Sequence, residues 1–237
     1  MFQKNDFIEL EFIGKVKDGN IFDTNIKEEA KKINLELETR PLIICIGQNM
    51  ILPAIDEFLI GKEIGKFNLE LTPEKAFGMR DTKMIKTMPI KIFLEKQVYP
   101  QAGMMFEFDN VIGKVSAVSG GRVIVDFNHP LANKNVVYEL NVKRKVEDNK
   151  EKVESLILFM FRRKFDFEIV EKKLIIKSEE KFRQFLDLFK EKFKEILNLD
   201  LEVEVLPEKK EEKTEEKPKI DEKISKNNEN LIENSGK

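Results

Sequence analysis

The chain has only one cysteine in 237 residues, Cys45, and no tryptophan. One cysteine cannot form a disulfide within the chain, which fits a reducing compartment. Cys45 lies in an apolar segment, so burial as a small hydrophobic residue is favoured over a redox or nucleophilic role. No run approaches the about eighteen apolar residues of a membrane span, and the first residues hold no apolar run of signal-peptide length. We therefore expect a cytoplasmic protein.

The chain also lacks a strong net charge. It carries 42 Lys and Arg against 44 Asp and Glu, a net charge of -2, so no overall field attracts nucleic acid or an acidic membrane. The basic run Lys143-Arg144-Lys145 ends a predicted strand and is interpreted as a solvated strand end in preference to a nucleic-acid patch. Apolar residues make up 41%, enough for a core, and the length allows one large domain or two to three small ones.

Residues 42–61 are the segment around which we organise the rest of the chain. An apolar strand over residues 42–46 turns at 47–49 and enters a short helix through Pro53, a residue tolerated in the first helical turn. Gly61 suits the left-handed conformation that often ends a helix. Where strand and helix meet, we predict an apolar pocket floor made by Ile51, Leu52 and Ile55.

Other strands are indicated by alternating apolar and polar residues. This pattern covers residues 7–16, 67–71 and 136–142, the last of which could return to the first sheet. Residues 28–37 are ambiguous. From residue 84 to 127, short strands and turns predict a compact β unit of its own.

The C-terminal part predicts a small α/β domain. Asp148 and Glu151 resemble a capping box before one helix, and two short strands surround residues 171–173. A last strand covers residues 201–205. Beyond it, 17 of the 31 residues from 207 to 237 are charged, which predicts a disordered tail. A second amphipathic helix, whose apolar stripe is more simply core than a partner-binding face, is marked by Phe182, Phe185, Leu186, Phe189, Phe193, Ile196 and Leu197.

Seven short motifs occur along the chain in a fixed order. They are Phe12-Ile13-Gly14, Asp18-Gly19, Ile21-Phe22-Asp23, Gly47 ahead of Met50-Ile51-Leu52-Pro53-Ala54-Ile55-Asp56, Gly65-Lys66-Phe67, residues 73–78, and Asn128-His129-Pro130-Leu131-Ala132. Each motif alone is weak, but the ordered set resembles the FKBP-type peptidyl-prolyl cis-trans isomerases. The likeness is narrower to the SlyD-like branch, and the overall length is similar to the long archaeal type.

The resemblance implies an α+β fold, with an antiparallel sheet wrapped on a short helix. The isomerase domain would comprise residues 1–83 and 129–148. Residues 84–128 would be a β-rich insert-in-flap domain that binds unfolded chains. A C-terminal α/β domain of unknown role would follow at 149–206, then the tail.

The resemblance also implies a site and an activity. The protein would isomerise X-Pro bonds in unfolded or nascent polypeptides without a cofactor or metal. Asp23, Phe77 and Tyr138 would be catalytic, with Asp23 as the one acid at the rim. The backbone N–H of Leu52 would hold a substrate carbonyl. The substrate-binding side chains would be Phe12, Phe22, Leu42, Ile51, Leu52, Ile55 and Leu131.

Three positions depart from the family pattern. Phe12 and Phe77 stand where many members carry tyrosine, so the hydroxyl that would bond the substrate from position 77 is missing. Ile55 replaces the tryptophan that many relatives have at the floor. His129 is the only histidine, so the histidine-rich metal-binding tail of some relatives is not carried over.

Simpler interpretations remain for the same residues. The Phe and Ile cluster also fits an ordinary core, Asp23 fits a turn-capping carboxylate, and His129 fits a junction residue better than a catalytic base. The insert offers six apolar residues to clients, of which Phe106 and Ile112 equally fit its own core: Val98, Met104, Met105, Phe106, Val111 and Ile112.

Two rival functions remain. One is a holdase that binds chains without isomerising them. In the other, the C-terminal domain serves oligomerisation or ribosome docking.

Overall fold

The computed structural model describes residues 1–35 and 42–206, so the predicted tail at 207–237 and the end of the ambiguous stretch 28–37 lie outside the described residues. The strands are β1 Phe7–Val16, β2 Ile21–Thr24, β3 Leu42–Cys45, β4 Gly65–Leu71, β5 Ile85–Pro89, β6 Met105–Phe108, β7 Val111–Ser119, β8 Arg122–Asp126, β9 Val136–Lys145, β10 Asp166–Val170, β11 Lys173–Ser178 and β12 Asp200–Val205. The helices are α1 Lys27–Lys32, α2 Pro53–Leu59, α3 Lys91–Leu94, α4 Asn149–Phe161, α5 Glu180–Asp187 and α6 Lys190–Leu197. Within the described part of the chain, no helix is long and apolar enough to cross a membrane.

A five-stranded antiparallel sheet carries the first core. β1 pairs with β2, β3 and β9, and β9 also pairs with β4. The alternation of β1 puts Ile8, Leu10 and Phe12 on one face, where they are buried in the same cluster as residues of α2. The prediction that residues 136–142 return to this sheet is confirmed by the pairing of β9.

β3 is apolar along its whole length because both of its faces are covered. Ile44 and the following Ile46 belong to the core with α2. Cys45 is buried on the opposite face, in a second core supplied by α4, α5 and α6. Phe7 and Val146 join Cys45 there, so the C-terminal helices pack directly on the back of the first sheet. The expectation that Cys45 is buried is confirmed.

A separate four-stranded sheet has the order β5-β8-β7-β6. Its small core is built on Phe93, Val115, Val123 and Val125. Of the six apolar residues predicted to face clients, Met104, Met105, Val111 and Ile112 are exposed. The prediction was wrong for Val98, which packs against the core. Of the two residues that equally fitted the core, Phe106 packs there, with its ring 5.5 Å from the Phe93 ring, whereas Ile112 is exposed.

Two chain segments join this sheet to the first, and side chains hold them together. Asn128 bridges both segments, since its Oδ1 accepts from the Asp81 N–H at 2.8 Å and its Nδ2 donates to the Asp81 carbonyl at 2.9 Å. Arg80 pairs with Asp126 at 2.6 Å. The two connecting segments are therefore held to each other by paired hydrogen bonds and an ion pair.

The C-terminal part contains β10, β11 and β12, with β11 antiparallel to β10 and parallel to β12. The predicted cap is confirmed: the Asp148 carboxylate accepts from the Glu151 N–H at 2.9 Å. The prediction of one continuous second helix was wrong. The helix breaks at Leu188 and Phe189 into α5 and α6, and the break lets Phe189 pack against Phe161, 4.9 Å away, while Phe193 stays fully buried.

Candidate active site

The floor of the site is set by the entry into α2. Leu52 precedes Pro53 with extended backbone angles (φ -53, ψ 132), as expected for a residue before proline. Among the described residues, the Leu52 N–H donates no backbone hydrogen bond. Ile55 is completely buried below it. Gly61 follows the helix with φ +78, the left-handed conformation predicted for it.

Four rings form a row from the core to the surface. Tyr138, on β9, is buried and meets the edge of Phe22 at a centroid distance of 5.8 Å. Phe22 meets Phe77 edge-on at 5.5 Å. Phe77 in turn stacks flat on His129, with centroids 4.6 Å apart and planes within 1°. The row gives the site one aromatic wall, which ends in solvent at His129.

Asp23 provides the acid at the rim. Its side chain is exposed, yet partial desolvation raises the pKa of its carboxyl above the ordinary 3.8, against the opposing effect of the Thr24 N–H. Burial, together with the Asp23 charge, raises the pKa of the Tyr138 phenol, so its hydroxyl stays protonated at neutral pH. These groups can polarise or bind a ligand, but no nucleophile is paired with a base among them.

Most of the residues implied by the resemblance lie together. One cluster contains Phe12, Ile55 and Tyr138 as buried members and has Phe22, Leu42, Ile51, Leu52 and Phe77 packed against it. Leu131 is half-buried in the turn beside His129 and does not belong to that cluster. A polar concavity of about 360 Å³, lined by Lys150, Glu154 and Lys177 among others, lies away from this site.

Three residues contribute to the site in ways that the sequence reasoning missed. Gly14 on β1 leaves room for Phe22 and Tyr138, and a glycine within an alternating strand is a signal for such close packing. His129 extends the aromatic wall, which its position in a turn motif does not reveal. Asp56 accepts from the Asn49 N–H at 2.9 Å and so holds the turn before the floor. Its side chain is buried, its Oδ1 has no partner among the described residues, and burial raises its pKa.

Comparison with known proteins gives one family-model match and several similar proteins. Residues 86–131 match a family model described as the FKBP26 IF domain. A short-type peptidyl-prolyl cis-trans isomerase of Methanocaldococcus jannaschii is 31% identical over 147 residues, which cover 60% of this chain and 93% of that protein.

Two bacterial relatives are similar over shorter shares. The FKBP-type isomerase SlyD of Haemophilus influenzae is 28% identical over 145 residues, covering 59% of this chain and 70% of the relative. An FKBP-type 16 kDa isomerase of Escherichia coli is 26% identical over 109 residues, covering 44% and 72%. Because the archaeal relative is 31% identical and covered over 93% of its length, and further relatives are FKBP-type isomerases that include SlyD, the chain belongs to the FKBP-type peptidyl-prolyl cis-trans isomerases.

Proposed function

We propose that this protein catalyses cis-trans isomerisation of X-Pro bonds in folding polypeptides, at the site lined by Phe12, Phe22 and Tyr138. The observation that carries the proposal is the row of rings over the apolar α2 floor, beside a single acid at the rim. Membership of a family of peptidyl-prolyl isomerases supports the same activity.

The reaction needs no bond to be made or broken. Amide resonance sets a barrier of about 18–20 kcal/mol, and water stabilises the polar, planar form. A surface that removes this water and fits the twisted amide lowers the barrier, with each tenfold in rate requiring only about 1.4 kcal/mol of differential binding. The aromatic wall and the Ile55 floor are suited to this work.

The polar groups at the edge orient the peptide. The backbone N–H of Leu52 holds a substrate carbonyl, and Asp23 faces the twisted amide from the rim. Phe77 contributes only its ring, since it has no hydroxyl. Leu42, Ile51 and Leu131 complete the apolar enclosure and favour an apolar residue before proline.

We further propose that residues 84–128 form an insert-in-flap domain that holds unfolded clients near this site. Support comes from its separate core and from four exposed apolar side chains, of which Met105 is 66% and Ile112 64% exposed. Methionine-rich surfaces adapt to varied partners. In this division, residues 1–83 and 129–148 are the isomerase domain, and residues 149–206 are a C-terminal domain that packs on its back.

A holdase with little isomerase activity is the second candidate. It is favoured by the same exposed side chains together with the missing hydroxyl at Phe77. A protease-free cis-trans rate assay on short X-Pro peptides with the full chain separates the two. Acceleration that Tyr138→Ala abolishes supports the isomerase; prevention of aggregation without any peptide acceleration supports the holdase.

A further inference from the structure

His129 occupies the outer end of the aromatic row and is the only histidine in the chain. Its ring is exposed on one side and covered by Phe77 on the other. The flat stack, with planes within 1°, fixes the plane of the imidazole relative to the wall of the site. The imidazole is thus a polar group attached to an otherwise hydrocarbon wall.

Backbone hydrogen bonds keep this ring in place. The Ala132 N–H donates to the His129 carbonyl at 2.8 Å and closes a turn. The Asn133 N–H donates to the Gly78 carbonyl at 2.9 Å and ties that turn to the loop carrying Phe77. The two segments that carry the stacked rings are therefore joined by a backbone hydrogen bond.

The same turn determines which imidazole nitrogen carries the proton. The Leu131 N–H donates to Nδ1 of His129 at 3.2 Å, so Nδ1 is the acceptor. In a neutral imidazole the other nitrogen is then the donor. Nε2–H consequently has no role within the turn and lies on the exposed ring.

A bound peptide needs hydrogen-bond donors for its carbonyl groups. The wall formed by Phe22 and Phe77 offers none, and Asp23 is an acceptor when ionised. We propose that His129 is a substrate-binding residue whose Nε2–H donates to a backbone carbonyl of the X-Pro peptide, while its ring extends the apolar wall. This inference rests on the proposed isomerase function and adds to it a polar contact.

Two substitutions separate the hydrogen bond from the ring. His129→Phe keeps a ring against Phe77 but has no N–H, whereas His129→Gln keeps an amide N–H of similar reach but has no ring. At pH 8 we expect kcat/KM on short X-Pro peptides to fall about three- to tenfold in His129→Phe. His129→Gln is expected to stay within about twofold of the wild type. Thermal unfolding of each variant checks that the fold is kept.

The opposite order overturns the inference. If His129→Phe matches the wild type, or if His129→Gln is the weaker variant, only the ring matters. A wild type that fails to accelerate peptide isomerisation is instead a failure of the proposed function.

An independent experiment uses NMR of untagged protein labelled with ¹⁵N-histidine, whose single imidazole signal needs no assignment. The proton is expected on Nε2, and its shift is expected to move on adding an X-Pro peptide; a proton on Nδ1 or an unmoved shift also overturns it.

Discussion

Gly14 lies directly beneath the ring of Phe22. A Cβ atom at position 14 falls 2.9 Å from two carbons of that ring and 3.1 Å from the Tyr138 ring, closer than such atoms approach one another. The rings therefore depend on a strand residue without a side chain. With any other residue at position 14, the Phe22 ring would have to move from its present position over β1.

Gly14→Ala is expected to displace Phe22 and to reduce peptide isomerase activity about fivefold or more, with roughly 1–3 kcal/mol lost from the free energy of unfolding. The rate assay and denaturant unfolding measure both. Gly113→Ala is the matched control, since its Cβ meets Val125 and Phe127 in the other sheet. That variant should retain activity on short peptides. An equal loss from both substitutions would show that the effect is not local to the site.

Asp23→Asn is expected to lower kcat/KM severalfold while the fold survives, because it removes the charge at the rim. Since the pKa of Asp23 is raised above 3.8, the active carboxylate is lost as pH falls through that raised value. The wild-type rate should therefore decline on the acid side at a pH above 3.8, and the variant should lack this decline. Rates measured across pH 4–8 test this, and parallel profiles for the two proteins would contradict it.

Asp56→Asn is expected to gain stability relative to the wild type as pH rises. Burial raises the pKa of Asp56, so the folded protein binds more protons than the unfolded chain between 3.8 and that raised value. Stability of the wild type thus falls as pH rises through this window, and the variant escapes the loss. Tm values of both proteins from about pH 3.5 to pH 7 measure the difference.

Asp6→Asn provides the control of opposite sign for Asp56→Asn. Burial raises the pKa of Asp6, but hydrogen bonds from Lys145 and the Gln3 N–H outweigh burial and lower it overall. The Asp6 carboxylate therefore stabilises the fold at a pH above the pKa that Asp6 has in the unfolded chain, and this stabilisation is lost as pH falls through the lower pKa of the folded protein. Asp6→Asn should therefore lose stability relative to the wild type as pH rises. A pH-independent difference for both variants would refute these assignments.

The exposed side chains of the insert are expected to matter for protein clients only. Met105→Gln with Ile112→Thr should leave activity on short peptides nearly unchanged but slow catalysis of a proline-limited refolding reaction severalfold, because clients are no longer held at high effective concentration. Glu107→Gln with Lys114→Gln changes neighbouring exposed positions on the same strands and serves as control. Equal losses on peptide and protein substrates would show that this surface does not hold clients.

A fragment of residues 1–148 contains every proposed site residue, so it should isomerise peptides where it is folded. Removing the C-terminal helices uncovers Phe7, Cys45 and Val146, which we expect to cost roughly 3–6 kcal/mol and to promote association. Light scattering and Tm measurement test both effects. Phe7→Thr in the fragment should reduce association, and a fragment as stable as the full chain would contradict the shared core.

The strands and the apolar floor could be predicted because they follow from local patterns. Apolar and polar residues alternate along β1, Pro53 and Gly61 bracket a helix, and the cap at Asp148 is indicated by Glu151 three residues later. What local patterns could not give depends on distant contacts. The break at Leu188 and Phe189 places the Phe189 ring against Phe161, the last residue of α4.

Two further features also depend on contacts between residues that are not neighbours in the chain. The stack of His129 on Phe77 joins positions fifty-two residues apart. The place of Phe106 was left open for the same reason, because the strand pattern does not say which face of the small sheet is inward.

The burial of Cys45 makes the only thiol of the chain a built-in reporter. Burial, helped by the Asp56 charge, raises the pKa of that thiol to about 12, so it is both inaccessible and unreactive in the closed state. Its covering helices are those of the C-terminal part. The rate at which a thiol reagent labels the native protein therefore reports how often these helices move away from the back of the sheet, without any engineered probe.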